Sequence, residues 1–510
     1  MKNLFNSIKL TRPKSNVFDL THDVKLTANM GNLTPICALD CVPGDKFKID
    51  AESLIRFAPL IAPVMHRMDV SMHYFFVPNR LLWSNWENFI TNQDGAYPHP
   101  VVQFESHDIQ SGSLANYLGL PINHTSYPNA LEFNALPFAA YQKIWNDYYR
   151  DQNLIADINP PQTYLLGNGL NTNGNLFILR KRAWEHDYFT ASLPFAQKGN
   201  AVDIPIGQIQ GDANVYYDTT IGTNSVTINT DQGSSPYQIQ INPETADGTI
   251  TENLFAKTDG LDIEPTTIND LRRAFRLQEW LEKNARGGTR YIENILTHFG
   301  VRSSDARLQR PEYITGMKTP VVISEVLNTT GESGGLPQGN MAGHGISVTG
   351  GNAGYYKCEE HGWIIGVMSI MPKTAYQQGT PRMFLRRDNL DYFWPSFANI
   401  GEQEVKNREI FEFPDNANGE QTFGYVPRYA EYKFCNSRVA GDFATNLEYW
   451  HLGRKFATQP TLSQEFIECS PEDTTRIFAV EDADEQKLYC HVLNKITAIR
   501  PMPKFGTPSF

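Results

Sequence analysis

Nine residues in a row, WIIGVMSIM at 363–371, carry no charge and only one hydroxyl. The run is too short to span a bilayer. It is apolar at odd and even positions alike, so as a strand it needs cover on both faces, which suits the centre of a sandwich or barrel. A second stretch, RMDVSMHYFFVP, sets Met68, Val70, Met72, Tyr74 and Phe76 against Asp69, Ser71 and His73. That period of two predicts a half-buried strand ended by Pro78.

Further strands are expected in RYAEYKF, TTRIFAVED and KLYCHVLNKITAI, and one with a tight exit within 175–198. Aromatic loops (LDYFWPSFANIG) and a short helix, LEYWHLGRKF, lie between them. SNWENFITNQ reads as a helix capped by Ser84 with Glu87. LPFAAYQKIWNDYYRDQN reads as another, with Pro137 in its first turn and Phe138, Tyr141, Trp145 and Tyr148 along a packing face. TTINDLRRAFRLQEWLEKNARGG predicts the best helix, capped by Thr267 with Asp270, carrying Ile268, Leu271, Phe275, Gln278 and Leu281 on one face, and stopped by Gly287 and Gly288. The residues at 200–265 hold ten acids, Lys257 and no Arg, and read as an acidic surface insertion. The Gly-rich stretch at 329–354 reads as a surface loop, since it has no phosphate-cradling motif. With 37 Gly and 31 Pro among 510 residues, and strands at both ends, the pattern favours one elaborated antiparallel barrel with an N-terminal arm over 1–44.

The net charge of −12 argues against a surface that binds nucleic acid throughout. Lys2, Lys9, Arg12 and Lys14 precede the first acid, Asp19, and form a short basic arm, the candidate for contact with DNA. The six cysteines show no disulfide framework and fit a reducing cytosol. The opening residues lack the apolar core of a signal peptide.

Parts for catalysis are not apparent. Cys358, Glu359, Glu360 and His361 are adjacent, and neighbours on a strand point to opposite faces. Glu185, His186 and Asp187 lack a nucleophile, and a structural histidine bonded to a neighbour is the simpler reading. No catalytic residue, metal or cofactor is therefore expected. In FGVRSSDARLQRPEYI (299–314), Arg302, Asp305, Arg307, Arg310 and Glu312 crowd together and read as a charge-paired structural or interface segment.

That last stretch, with ARGGTRYIENILTHFG before it, closely resembles the most recognisable block of the microvirus major capsid proteins, particularly their gokushovirus-like branch. Other blocks follow in the family's order: FFVPNRLLWSNWENFI, RAWEHDYFTASLPFAQKG, LPQGNMAGHG, EEHGWIIGVMSI, YQQGTPRMFLRRDNLDYFWPSFANIGEQ and FGYVPRYAEYKF. Departures fall at 200–265, 329–354 and 412–422. The resemblance implies a single all-β domain, an eight-stranded antiparallel jelly roll with large insertions and a few helices. It implies copies forming a small T=1 icosahedral shell around circular single-stranded DNA, bound without sequence preference. A small basic DNA-binding virion protein and a pilot or minor virion protein would be partners. The insertion would form a protrusion at the threefold axes and meet a host receptor, with no membrane contact. Assembly would take place in a bacterial cytoplasm and the product would reside in the virion. A carbohydrate-binding jelly-roll module, stacking sugars on its aromatic loops, is the competing expectation, with a glycoside hydrolase behind it.

Overall fold

In the computed structural model, the described residues are 14–200, 267–327, 341–412 and 418–505, with breaks at 93–94, 96, 106–107, 123–129, 158–164, 481 and 483–484. Of 201–266 only a few short strand segments are described. The chain divides into two compact units, 1–196 with 284–510, and 197–283.

The first unit is built on strands β1 (Asn16–Asp19), β2 (His22–Ala28), β3 (Thr34–Cys41), β4 (Lys46–Phe57), β5 (Met68–Pro78), β6 (Glu312–Pro320), β7 (Val322–Leu327), β8 (Met341–Thr349), β9 (Gly354–Lys357), β10 (Gly362–Pro372) and β11 (Leu488–Arg500). One antiparallel sheet runs β1-β11-β4-β8-β7, with β2 also on β11 and β9 also on β4. The other runs β6-β5-β10-β3. The alternation of β4 explains their packing. Phe47, Ile49, Ala51, Ile55 and Phe57 point inward and join Val492 and Ile496 of β11, Met72 and Phe76 of β5 and Met368 of β10 in one core. Each of the Val, Ile, Met and Phe side chains contributes roughly 1.5–3 kcal/mol on burial, and Ala51 less.

WIIGVMSIM is an inner strand of its sheet. Ile364, Met368 and Ile370 face that core, while Ile365 and Val367 face a second cluster built on helix α1 (Leu136–Ile144). β5 is likewise covered on both sides, because Phe75 and Val77 enter the second cluster. The half-buried reading is corrected: the helix face of Phe138, Tyr141 and Trp145 supplies the extra cover.

Several local expectations are also corrected. The supposed arm of 1–44 is sheet from Asn16 onward, since β1 and β2 pair with β11 and β3 with β10. Within the expected Gly-rich loop, 341–349 is strand β8, paired with β4 and β7. Its glycines serve close approach: a Cβ on Gly343 would lie 2.4 Å from the Ala62 carbonyl oxygen, and one on Gly345 would lie 2.8 Å from the Phe57 ring. Residues 328–340 lie outside the described residues. Asn85, not Ser84, precedes the helix Trp86–Ile90, with no side-chain cap bond. The 175–198 segment holds a 3-10 turn, Gly174–Phe177, and irregular chain in place of a strand. Pro471 opens a 3-10 turn over Pro471–Ile477 where TTRIFAVED read as strand. The strand expected at RYAEYKF does not form: the extended stretch Thr422–Pro427 ends just before it, Tyr429 takes a left-handed φ of 60°, and Ala430–Lys433 is helical. LEYWHLGRKF yields only the turn Glu448–Trp450.

The second unit contains most of helix α2 (Ile268–Arg286). Thr267 Oγ1 accepts from the Asp270 amide at 3.2 Å, the capping expected there. Ile268 and Phe275 on its apolar face remain exposed.

Candidate functional site

Helix α3 (Tyr291–Phe299) stops at Gly300, whose φ of 67° suits glycine and whose amide bonds the Leu296 carbonyl at 3.0 Å. The chain then enters the charged block. Arg310 Nε donates to Asp305 Oδ1 at 2.8 Å. The Arg310 guanidinium lies 4.5 Å from the centre of the Tyr148 ring. The Tyr148 hydroxyl sits 2.5 Å from the Pro311 carbonyl oxygen and 3.1 Å from Asp305 Oδ2. Burial and the neighbouring Asp305 push that phenol's pKa up, so it stays a neutral donor.

Glu312 accepts from the Tyr356 hydroxyl at 2.9 Å, and its own pKa is raised, chiefly by burial. Tyr148 packs against Phe75 of β5 with its ring tilted and 4.7 Å between centroids, so the block is fastened to this chain's own second sheet. Asp305, Arg310 and Glu312 thus belong to the fastening. Arg302 and Arg307 are exposed and stand outside it. Lys14 is exposed, while Lys2, Lys9 and Arg12 lie outside the described residues.

The other charged motifs are also absorbed into structure. Arg80 Nε donates to Glu360 at 2.5 Å, and His361 packs edge-on against Trp86. Asp187 caps its own turn through the amides of Phe189 and Thr190 and accepts from the Tyr376 hydroxyl at 2.7 Å. His186 is exposed, which corrects the expectation of a histidine bonded to a neighbour. Glu185 and Asp69 share Lys318 and Lys373. Burial works against those carboxylates, yet the two ammonium groups hold both below their ordinary pKa.

The sequence marks part of 376–403 as an aromatic loop, with sugar stacking on such loops as the competing expectation. Among the described residues it carries a dense set of exposed aromatics: Phe384 is 68% exposed and Trp394 50%, with Tyr392, Phe393, Tyr432, Phe434 and the exposed Ile400 beside them. This surface is held firmly from beneath. Arg386 pairs with Glu431 at 3.2 Å, both side chains being almost covered, and its guanidinium lies 4.1 Å from the Tyr432 ring. The left-handed Tyr429 donates its amide to Gln403 Oε1 at 2.9 Å and meets the Phe393 ring edge-on. Arg382 reaches the buried Glu409 at 3.0 Å, and Glu409 also accepts from the Tyr188 hydroxyl at 2.9 Å. Burial raises the Glu409 pKa, with Arg382 working the other way. These partners lie far apart in sequence. The one local signal was the density of Arg within an aromatic loop, a composition typical of interfaces.

Broad antiparallel sheets, long decorated loops and rigidly mounted exposed aromatics are consistent with the all-β fold of viral capsids. A family model described as Capsid protein (F protein) matches residues 6–510. Capsid protein VP1 of Bdellovibrio phage phiMH2K is 36% identical over 99% of this chain and 96% of its own length. Capsid protein VP1 of Chlamydia phage 1 is 33% identical, covering 100% and 98%, and that of Spiroplasma virus 4 is 31% identical, covering 97% and 95%. The chain belongs to this family of microvirus capsid proteins. Among the described residues no helix is long and apolar enough to cross a membrane.

Proposed function

We propose that copies of this chain form a small T=1 icosahedral shell around a circular single-stranded DNA genome, with no enzymatic step. The observation that carries this reading is the exposed aromatic surface at 384–434 on a firm arginine–glutamate base. Monomers rarely leave so much contiguous ring surface in water, and a second copy of the chain is the partner a capsid family implies. Closed symmetry would reuse that contact around every axis. We assign the strand order β2-β11-β4-β8 opposite β3-β10-β5-β6 to an eight-stranded jelly roll, a reading supported by the way these strands alternate between sheets along the chain, except that β5 and β6 are neighbours in one sheet.

On this reading the acidic 200–265 insertion faces outward at the threefold axes and meets a host surface, away from DNA. A small basic virion protein supplies charge that the −12 chain lacks, and a pilot protein completes the particle. Shells form in the bacterial cytoplasm and persist as virions. The basic arm, Lys2 to Lys14, turns toward the genome. Negative-stain imaging of the purified protein tests this: uniform round particles, smoother after deletion of 205–260, are expected. Monomers at every concentration, alone and from infected cells, would overturn it.

A further inference from the structure

We propose that Cys41 and Cys358 form a reversible disulfide that staples the two sheets together once the protein leaves a reducing compartment. The site stands on the geometry of the subunit; only its timing rests on the virion proposed above. The stretch VPGD sets it up. Val42, Pro43, Gly44 and Asp45 make a tight turn, with the Asp45 amide 3.1 Å from the Val42 carbonyl oxygen and Gly44 at a φ of 95°. Proline second and a left-handed glycine third are what a type II turn asks for. The Asp45 carboxylate holds the turn from within, accepting from the Val42 amide at 3.0 Å. Cys41 ends β3 on one side of this turn, and Lys46 opens β4 on the other. Lys357 of β9 pairs with Lys46, which brings Cys358 alongside the turn. Two backbone bonds fix it there: the Gly44 amide donates to the Cys358 carbonyl at 2.9 Å, and the Cys358 amide to the Asp45 carbonyl at 2.8 Å. The two thiols, far apart in the chain, meet side chain to side chain in the core, where both residues are wholly buried.

Reduced thiols held in contact are the arrangement from which a disulfide closes without moving the backbone far. Cys37, the nearest cysteine in sequence, lies back along β3, roughly 13 Å from Cys41 and out of reach. Among the described residues no group of His, Cys, Asp and Glu could hold a metal, so the pair reads as a redox couple. Burial, above all, and the Cys358 thiol beside it push the Cys41 pKa up, so thiolate is scarce and closure is slow. The oxidant must be small, or must wait for the turn to open. Hydrogen peroxide meets the first condition. One sulfur attacks a peroxide oxygen, the O–O bond breaks, and a sulfenic acid and one water result. The second sulfur attacks the first, the S–O bond breaks, and a second water leaves. Two thiols are oxidised, one peroxide is reduced, and both thiol hydrogens end in water. Because β3 lies in one sheet and β4 with β9 in the other, the new bond joins the sheets at one end of the sandwich. It also closes a very long loop, the case in which a cross-link restricts the unfolded chain most. A cytosol keeps such a pair reduced, and a particle outside the cell loses that protection.

Peptide mapping by mass spectrometry tests the inference. The purified protein, kept under reductant or treated with hydrogen peroxide, is unfolded in iodoacetamide and digested. Under reductant all six cysteines should be alkylated. Peroxide should yield a peptide pair linking Cys41 to Cys358 within one chain. It should also raise the melting temperature by about 5 °C, a rise that dithiothreitol reverses. Cys358→Ala should abolish the link and the rise, whereas Cys435→Ser, at the exposed cysteine, should leave both unchanged. The parent's map decides the matter even if Cys358→Ala does not fold. Cys41 and Cys358 both still alkylated after peroxide, including in urea too dilute to unfold the protein, would overturn the inference. So would Cys41 oxidised to a sulfinic acid in place of a link, or a link between two chains. Shells should assemble under reductant, since the bond forms afterwards. A protein that links Cys41 to Cys358 but forms no shells would sink the shell reading and leave this one standing.

Discussion

The Tyr74 hydroxyl donates to Asn494 Oδ1 at 2.6 Å, tying β5 of one sheet to β11 of the other at a point where both residues are wholly buried. Asn494 Nδ2 in turn donates to the Ile36 carbonyl on β3 at 2.9 Å. A polar bridge inside an apolar core stabilises only while each partner is satisfied. Tyr74→Phe leaves the amide oxygen without its donor and should cost about 1–3 kcal/mol. Asn494→Leu strands both the phenol and the carbonyl and should cost more. Denaturant unfolding of unassembled subunits measures both, and equal stability of parent and Tyr74→Phe would refute the bridge.

Gly343 is a sharper probe of β8. An alanine there meets the Ala62 carbonyl oxygen and Pro63 Cα, backbone atoms that cannot rotate aside, so Gly343→Ala should cost about 1–3 kcal/mol or more. Gly350, where an added methyl would find nothing within 4 Å, should accept alanine with little change. Thermal melting of the two variants side by side decides it, and similar losses would show that space is not the reason for glycine.

The aromatic surface should separate assembly from folding. Phe384→Ser removes an exposed ring, so the melting temperature should hold while the protein concentration needed for shells rises about tenfold or more. Light scattering across a dilution series reads this. Shells forming at the parent's concentration would remove Phe384 from the contact.

Acid should loosen the subunit through two histidines. Burial holds His66 at about 4, and burial with Arg182 and Lys318 nearby holds His73 at about 4. His66 Nε2 bonds the Lys373 carbonyl at 2.6 Å and His73 Nδ1 the Tyr149 hydroxyl at 2.6 Å. Their folded pKa values lie below the unfolded value near 6.5, so below that pH the unfolded chain takes up protons that the fold refuses. Their contribution is complete above pH 6.5, falls as pH drops toward 4, and is constant below it. By pH 5 each could remove up to about 2 kcal/mol. H66Q/H73Q should therefore lose less stability than the parent between pH 7 and pH 5 in denaturant titrations; an identical loss would absolve the histidines.

The strands that alternate strongly were legible in sequence, and so was WIIGVMSIM, because burial on two faces leaves a mark at every position. Pro137 and the Thr267–Asp270 pair marked helix starts for the same local reason. β8 was not legible: its glycines answer to Phe57 and Ala62, which lie elsewhere in the chain, and locally they imitate a loop. TTRIFAVED misled through its β-branched residues, whereas Pro471 opens a turn that buries Thr474 and Ile477. Of the charged block, Asp305 and Arg310 meet as their crowding suggested, but the ring they share, Tyr148, arrives from 157 residues away. Glu409 and Glu431 gave no sign, since buried carboxylates are written in sequence like solvated ones.

The position of β11 bears on how such a chain is made. It lies between β4 and β2 in its sheet, yet Asn494 follows its partner Tyr74 by 420 residues. A ribosome therefore delivers the flanking strands long before the one that joins them. Until β11 emerges, the sheet has a gap along its middle and the core lacks Val492 and Ile496. Emergence of β11 then works as an interlock, since a chain whose β11 has yet to emerge cannot present a closed sandwich to its neighbours.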